Sequence, residues 1–114
     1  MVIDSYAFGT IVIDGRRFTS DLIIYPDGRI VDGWWRQSGH LMTEIDIVEL
    51  IASGPDVIVV GTGASGMLKP ARGIDKALGK KGIQMVAAPS RIAMNHFNAL
   101  AGSKKVGACF HLTC

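Results

Sequence analysis

The apolar positions of this chain change their period partway along. Up to residue 35 they fall in short clusters divided by turn residues, the pattern of antiparallel strands. In "FGTIVIDGRRF" apolar residues flank Asp14-Gly15, a two-residue hairpin signal, because a type I′ turn needs positive φ at both central positions. "DLIIYPDGRIVDGWW" repeats the scheme. Ile23 to Tyr25 and Arg29 to Trp34 flank Pro26-Asp27-Gly28, where Pro presets one turn angle and Gly supplies another. Trp34 and Trp35 are adjacent, so on a strand they face opposite ways.

From residue 43 onward helical and strand-like segments alternate. Thr43 with Asp46 makes a weak capping box for a helix whose stripe is Ile45, Val48 and Ala52, with Ile47, Leu50 and Ile51 beside it. Gly54-Pro55 ends that helix. Val57 to Val60 is apolar at every position, as in a strand covered on both faces. A second helix is expected from Pro70 or Ala71, carrying Ile74, Ala77 and Leu78 and stopped by Gly82. Ile83 to Ala87 reads as the next buried strand. Ser90 is expected to cap a third helix with Ala93, Phe97, Leu100 and Ala101 inward, stopped by Gly102. Val106 to Leu112 is the last strand. Val106, Ala108, Phe110 and Leu112 share one face and Gly107, Cys109, His111 and Thr113 the other, both mostly small or apolar, which predicts an interior position. Hairpins followed by α-β-α-β-α-β predict a single three-layer α/β domain over 1–114 with a mixed sheet.

Composition narrows the function classes. The chain has 114 residues, 48% hydrophobic and 19% charged, which is ordinary globular usage. No apolar run approaches the length of a membrane span, and no secretory signal pattern is visible, so a cytoplasmic location is the simplest expectation. The net charge is +2, and the basic pairs Arg16-Arg17, Lys80-Lys81 and Lys104-Lys105 are dispersed beside turns. A nucleic-acid reader would show a basic stripe with stacking aromatics, so no nucleic-acid partner is expected. Cys109 and Cys114 would lie roughly 16 Å apart along a strand, too far for a disulfide.

The chemistry-bearing candidate is "VIVVGTGASGMLKP". Gly61, Gly63 and Gly66 spell G-x-G-x-x-G directly after an aliphatic strand. A dinucleotide loop needs a helix opening at the third glycine and a carboxylate ending the next strand. Pro70 delays the helix, and the next strand ends Val86-Ala87-Ala88-Pro89 without an acid. A P-loop fails because Met67-Leu68 stand where Lys and Ser/Thr are required. Ser65 lacks the G-x-S-x-G spacing of a nucleophile elbow. Two readings remain. The loop is a tight, irregular connection, or its backbone N–H groups and Lys69 face a small anion. The candidate cleft is therefore Gly61, Thr62, Gly63, Ser65, Gly66 and Lys69, with Arg36, His40 and His111 as residues that strand order decides. Arg36 follows a strand end, where it clamps a carboxylate or is solvated. His111 and Cys109 share a strand face, but two ligands fall short of zinc's three or four, and His40 and His96 stand in no spacing relation to them. No metal, cofactor or catalytic constellation is expected.

"VIVVGTGASGMLKP", "KKGIQMVAAPSRIAMNHFNAL", "WWRQSGH" and above all the ending "FHLTC" together resemble the adipogenesis-associated domain family, whose fold is typified by a methanogen protein of unknown function. A more distant branch of it includes a mitochondrial assembly factor for respiratory complex I. The resemblance covers nearly the whole chain. It implies a three-layer α/β/α fold with a mixed central sheet and an added N-terminal antiparallel hairpin or meander, and it implies no established enzymatic activity. The expected role is a protein-interaction or assembly module whose partner is another protein, with a binder of a small anionic ligand, or an enzyme acting on one, as the alternative.

Overall fold

The computed structural model of the protein describes residues 1–114. The chain opens with an antiparallel meander of β1 (Ile3–Ala7), β2 (Thr10–Ile13) and β3 (Arg16–Phe18). Asp14 and Gly15 join β2 to β3 with φ of 49° and 77°, the left-handed pair that the sequence predicts. A second hairpin pairs β4 (Leu22–Ile24) with β5 (Ile30–Asp32) across the Pro26-Asp27-Gly28 turn.

The main sheet has five strands in the order β5-β4-β10-β7-β9, where β7 is Val57–Thr62, β9 is Gln84–Ala88 and β10 is Val106–His111. β10 runs parallel to β7 and antiparallel to β4, and β7 runs parallel to β9, so the sheet is mixed. One face packs under α3 (Ser90–Leu100) and the N-terminal meander. Ile3, Tyr6, Ile11 and Ile13 of the meander meet Ala93 and Phe97 of α3 over Val59, Ala108 and Phe110. The other face carries α1 (Val48–Ala52) and α2 (Ile74–Gly79), with Leu50, Ile74 and Leu78 over Ile58, Val60 and Cys109. The result is the expected three-layer α/β/α fold with an added N-terminal meander. Asn98 ties α3 to the meander: its Oδ1 accepts from the Ile3 N–H at 2.9 Å and its Nδ2 donates to the Ile3 carbonyl at 2.9 Å.

Four local expectations are corrected. The segment after Thr43 is a 3-10 turn (Glu44–Ile47) running into the short α1, and it buries Ile47 and Leu50 while Ile45 and Val48 are exposed. The 3-10 start shifts the inward stripe away from the one a continuous α-helix would present. Lys69–Pro70 does not begin a helix. It forms β8, parallel to β6 (Leu41–Met42), and α2 starts only at Ile74 after Gly73. Pro70 suits such a short outlying ladder, since it has no N–H to donate. β9 is half-exposed rather than buried, because it is an edge strand paired only with β7. Ser90 is the first residue of α3 rather than its cap, and its hydroxyl serves another purpose described below.

β10 matches its expectation. All six residues are buried and both of its edges are paired. Removing the chain from Phe110 onward deletes Phe110 and Leu112, both essentially inaccessible to solvent. Each large buried side chain is worth about 3–5 kcal/mol against a total of ~5–15 kcal/mol. The truncated protein is expected to show no cooperative unfolding by circular dichroism. A cooperative transition near the full-length midpoint would refute the central placement of β10.

Candidate functional site

Strand directions bring most of the candidate residues to one edge of the sheet. β10, β7 and β9 are parallel, so His111, the loop after Thr62 and the Pro89-Ser90 corner lie together at their C-terminal ends. β4 is antiparallel to β10 with Leu22 opposite Phe110, which places Asp21 beside His111. β5 ends at the same edge, because Leu22 pairs with Asp32, and the chain continues from there to Arg36 and His40.

A buried polar cluster results. Asp21 Oδ2 accepts from Arg36 Nη1 at 2.9 Å and stands 2.8 Å from His111 Nδ1. Asp21 Oδ1 accepts from the Leu112 N–H at 2.8 Å. Arg36 Nε donates to the Gly39 carbonyl at 2.8 Å, and its guanidinium lies over the Trp34 ring at 4.5 Å. Of the two roles open to Arg36, it therefore clamps a carboxylate. The His40 ring meets the His111 ring edge-on with centroids 5.3 Å apart, so two histidines without a sequence relation become neighbours. Trp34 is buried, donating its indole N–H to the Asp46 carbonyl at 2.9 Å, while Trp35 is 75% exposed; both lie beyond the end of β5 at Asp32, after Gly33 with φ of 70°, so the strand alternation expected of them does not apply.

Asp21 is the member that the sequence does not disclose. Its partner His111 is 90 positions away, and a single carboxylate ahead of an apolar strand is an ordinary solvated residue in most chains. Only the β4–β10 register reveals it.

The glycine loop contacts this cluster without forming a ligand cradle. Every backbone N–H from Gly63 to Lys69 already has a protein acceptor. The Gly63 N–H donates to Ser90 Oγ, Ala64 to the Thr113 carbonyl, Ser65 and Met67 to Cys114 O, Gly66 to Gly63, Leu68 to Thr62 and Lys69 to His40. Ser90 Oγ in turn donates to the His111 carbonyl at 2.6 Å, so one buried hydroxyl joins the loop, α3 and β10. The side chains of Thr62, Ser65 and Lys69, with Gly66, line a shallow depression of about 360 Å³ that continues to Pro89. Arg36, His40 and His111 are not part of it. Gly61 has no room for a side chain, since a Cβ there would run into the Phe110 ring and Ser90 Oγ.

The two thiols differ. Cys109 is fully buried with its Sγ 3.7 Å from Met42 Sδ, and burial pushes its pKa far up, so it stays protonated. Cys114 is exposed, and both cysteines are free. No three donors of the His, Cys, Asp or Glu type converge on a point. No helix is long and apolar enough to cross a membrane.

Fold and site together define a small α/β domain with a meander on one sheet face and a carboxylate–arginine–histidine cluster at the sheet's edge. The chain belongs to a family described as protein of unknown function (DUF498/DUF598), whose model matches residues 3–111. It is similar over its full length, and over all of that chain, to the conserved hypothetical protein PH1505 from Pyrococcus horikoshii, at 29% identity and a TM-score of 0.87. It shares the fold of MT938 at 24% identity and a TM-score of 0.83, covering 99% of this chain and 98% of that one. A Bordetella pertussis protein described as an Mth938-like domain aligns at 18% identity and a TM-score of 0.71 over 97% of this chain and 85% of that one. The family and the methanogen-protein fold implied by the resemblance are thus shown.

Gly63 tests the site's geometry. Its φ is +101°, and a Cβ would stand 2.5 Å from the Cys114 carbonyl carbon and 2.7 Å from His111 Cδ2. Gly63→Ala is expected to cost about 2–3 kcal/mol through backbone strain and overpacking. A thermal midpoint equal to wild type would show that the Cys114 end does not pack on the loop.

Proposed function

We propose that this domain is a non-enzymatic protein-interaction module whose contact surface is the free edge of β5 and the apolar groove beside it. The observation that carries this reading is a group of exposed apolar side chains on that side of the sheet. Ile45 is 66% exposed, Val48 59% and Val31 42%. Ile45 and Val48 border a groove of about 220 Å³ floored by Ile23 and Tyr25, and Val31 pairs with Ile23 across the β4–β5 ladder. β5 pairs only with β4, so its outer N–H and C=O groups have no strand partner. An unpaired strand edge beside an apolar groove fits an extended segment of another protein, held by main-chain hydrogen bonds and anchored by alternate apolar side chains. The assembly role described for distant relatives of the resembled family is in keeping with this reading.

The alternative, a small anionic ligand held by Thr62, Ser65, Gly66 and Lys69, has less support. The depression is shallow, and the loop amides that would face an anion are already bonded.

The test compares the wild type with an Ile45→Glu/Val48→Glu double variant as baits in extracts of the native host. Both positions are exposed, so the variant should keep the wild-type thermal midpoint. The expected result is a partner enriched by the wild type and lost, by tenfold or more, from the variant. Equal capture by both baits, or none by either, overturns the proposal. Sedimentation showing self-association that the double variant abolishes would assign the surface to a second copy instead. In parallel, a ligand present at about 100 times its dissociation constant adds about 2.7 kcal/mol of stability. A shift produced only by anions and lost in Lys69→Ala would put the alternative ahead.

A further inference from the structure

The loop after β7 holds a backbone oxygen in the way an anion site holds its ligand. Ser65 and Met67 both donate their N–H groups to Cys114 O, at 3.3 and 2.9 Å. Gly66 between them has φ of 70°, and its own N–H turns back to the Gly63 carbonyl. Two amides that flank a left-handed residue and point at one oxygen form a nest, a concavity suited to anions because its N–H groups present partial positive charge to a common point. Ala64 adds a third amide, which donates to the Thr113 carbonyl at 2.6 Å. The acceptors are two consecutive carbonyl groups of one strap, residues 113–114.

Little else holds the strap. Leu112 before it is anchored: its side chain is buried, its N–H donates to Asp21, and its carbonyl accepts from the Tyr6 hydroxyl and the Gly9 N–H. Thr113 and Cys114 are both exposed, and their hydrogen bonds are the three accepted from the loop amides. The loop beneath them is positive. Residues 61–71 carry a single charge, Lys69, which joins neither of the protein's ion pairs. The Ser90 N–H donates to the Gly63 carbonyl, so the N-terminus of the eleven-residue α3 abuts the same loop, and the first turn of α3 has no acidic side chain. The positive end of that helix dipole adds to the charge of Lys69.

We propose that residues 113–114 are a strap that closes an oxyanion site: with the strap down its carbonyl oxygens fill the nest of residues 64–67, and with the strap lifted the same amides take a small oxyanion of the phosphate class. The exchange replaces two neutral carbonyl oxygens by oxygens of an anion, and an ionised acceptor makes shorter and stronger bonds to N–H groups than a carbonyl does. Phosphate matches the site better than a carboxylate because its second negative charge meets the positive potential of Lys69 and the α3 N-terminus. A strapped nest differs from the open anion site weighed above. Its affinity in the intact protein is reduced by the fraction of molecules with the strap lifted, and removing the strap restores it. The site is independent of the β5 surface, so either proposal can fail without the other.

The probe is inorganic phosphate, with chloride at equal ionic strength as the reference, read by nuclear magnetic resonance on the amides of Ala64, Ser65 and Met67. It is added to the full chain and to a form ending at Leu112. That form loses only exposed residues, and its new terminal carboxylate stays out of the nest because Leu112 is held by Tyr6 and Gly9. The expected result is a saturable shift of the loop amides in the shortened form, with half-saturation at least tenfold below that of the full chain and raised again by Lys69→Ala. In the full chain, high phosphate should move the Thr113 and Cys114 amides together with those of the loop, as the strap leaves. Equal half-saturation in the two forms would make the loop an open site and overturn the strap. A shortened form that folds and responds no more to phosphate than to chloride overturns the oxyanion site. Where the shortened form loses its cooperative thermal transition, the full chain decides: loop shifts without strap shifts, or none beyond those of chloride, overturn the proposal.

Discussion

The fold depends on the insertion of β10 between β4 and β7. This strand comes latest in the sequence yet stands at the middle of the sheet, with both edges paired and both faces covered. Gly107 is small because a Cβ there would stand 2.6 Å from Leu50 Cδ1 and 3.4 Å from the Ile24 carbonyl oxygen. Phe110 fills the opposite face and closes over Gly61 of β7. The meander depends on the same strand: the Tyr6 hydroxyl donates to the Leu112 carbonyl at 2.7 Å, and the Gly9 N–H donates to the same oxygen at 2.8 Å. The N-terminal and C-terminal thirds of the chain therefore become ordered together, and contacts of such long sequence separation make folding slow relative to a helical domain of equal size.

The polar cluster sits where β10 ends, and its position is a consequence of that topology. Asp21 receives Arg36, His111 and the Leu112 N–H on two oxygens, so its lone pairs are well used. Arg36 is nearly buried, with a side-chain exposure of 7%. Taking such a pair out of water costs several kcal/mol per ion, which the attraction offsets only when the remaining hydrogen bonds are made. The pair is thus weak evidence for added stability. Its physical effect is positional: a carboxylate fixed by the β4 register and a guanidinium held by Gly39 and the Trp34 ring leave His111 one orientation.

What was legible in the sequence follows from the range of each interaction. The Asp14-Gly15 turn, the buried β7, the two faces of β10 and the inward side of α3 all come from local pattern, and the structure has them. The failures have longer-range causes. The Val48 stripe assumed a helix that begins as a 3-10 turn. The burial of β9 assumed a neighbour that an edge strand does not have. Ser90 has the residue type of a cap, but its hydroxyl is drawn to Gly63 and the His111 carbonyl, 27 and 21 positions away. Arg36, His40 and His111 could be named from residue type. Their juxtaposition with Asp21 required the order β5-β4-β10, which no local pattern encodes.

The glycine motif shows why residue spacing alone does not establish a phosphate site. In a nucleotide loop the glycines let consecutive amides converge on an anion. Here Gly63 and Gly66 also take positive φ, at 101° and 70°, and the amides do converge. What they converge on is the protein itself: Ala64, Ser65 and Met67 donate to the Thr113 and Cys114 oxygens. A Cβ at Gly63 would strike that same segment, so both the conformation and the missing side chain are explained by packing of residues 113–114 against the loop. The loop's demand for glycine is therefore steric.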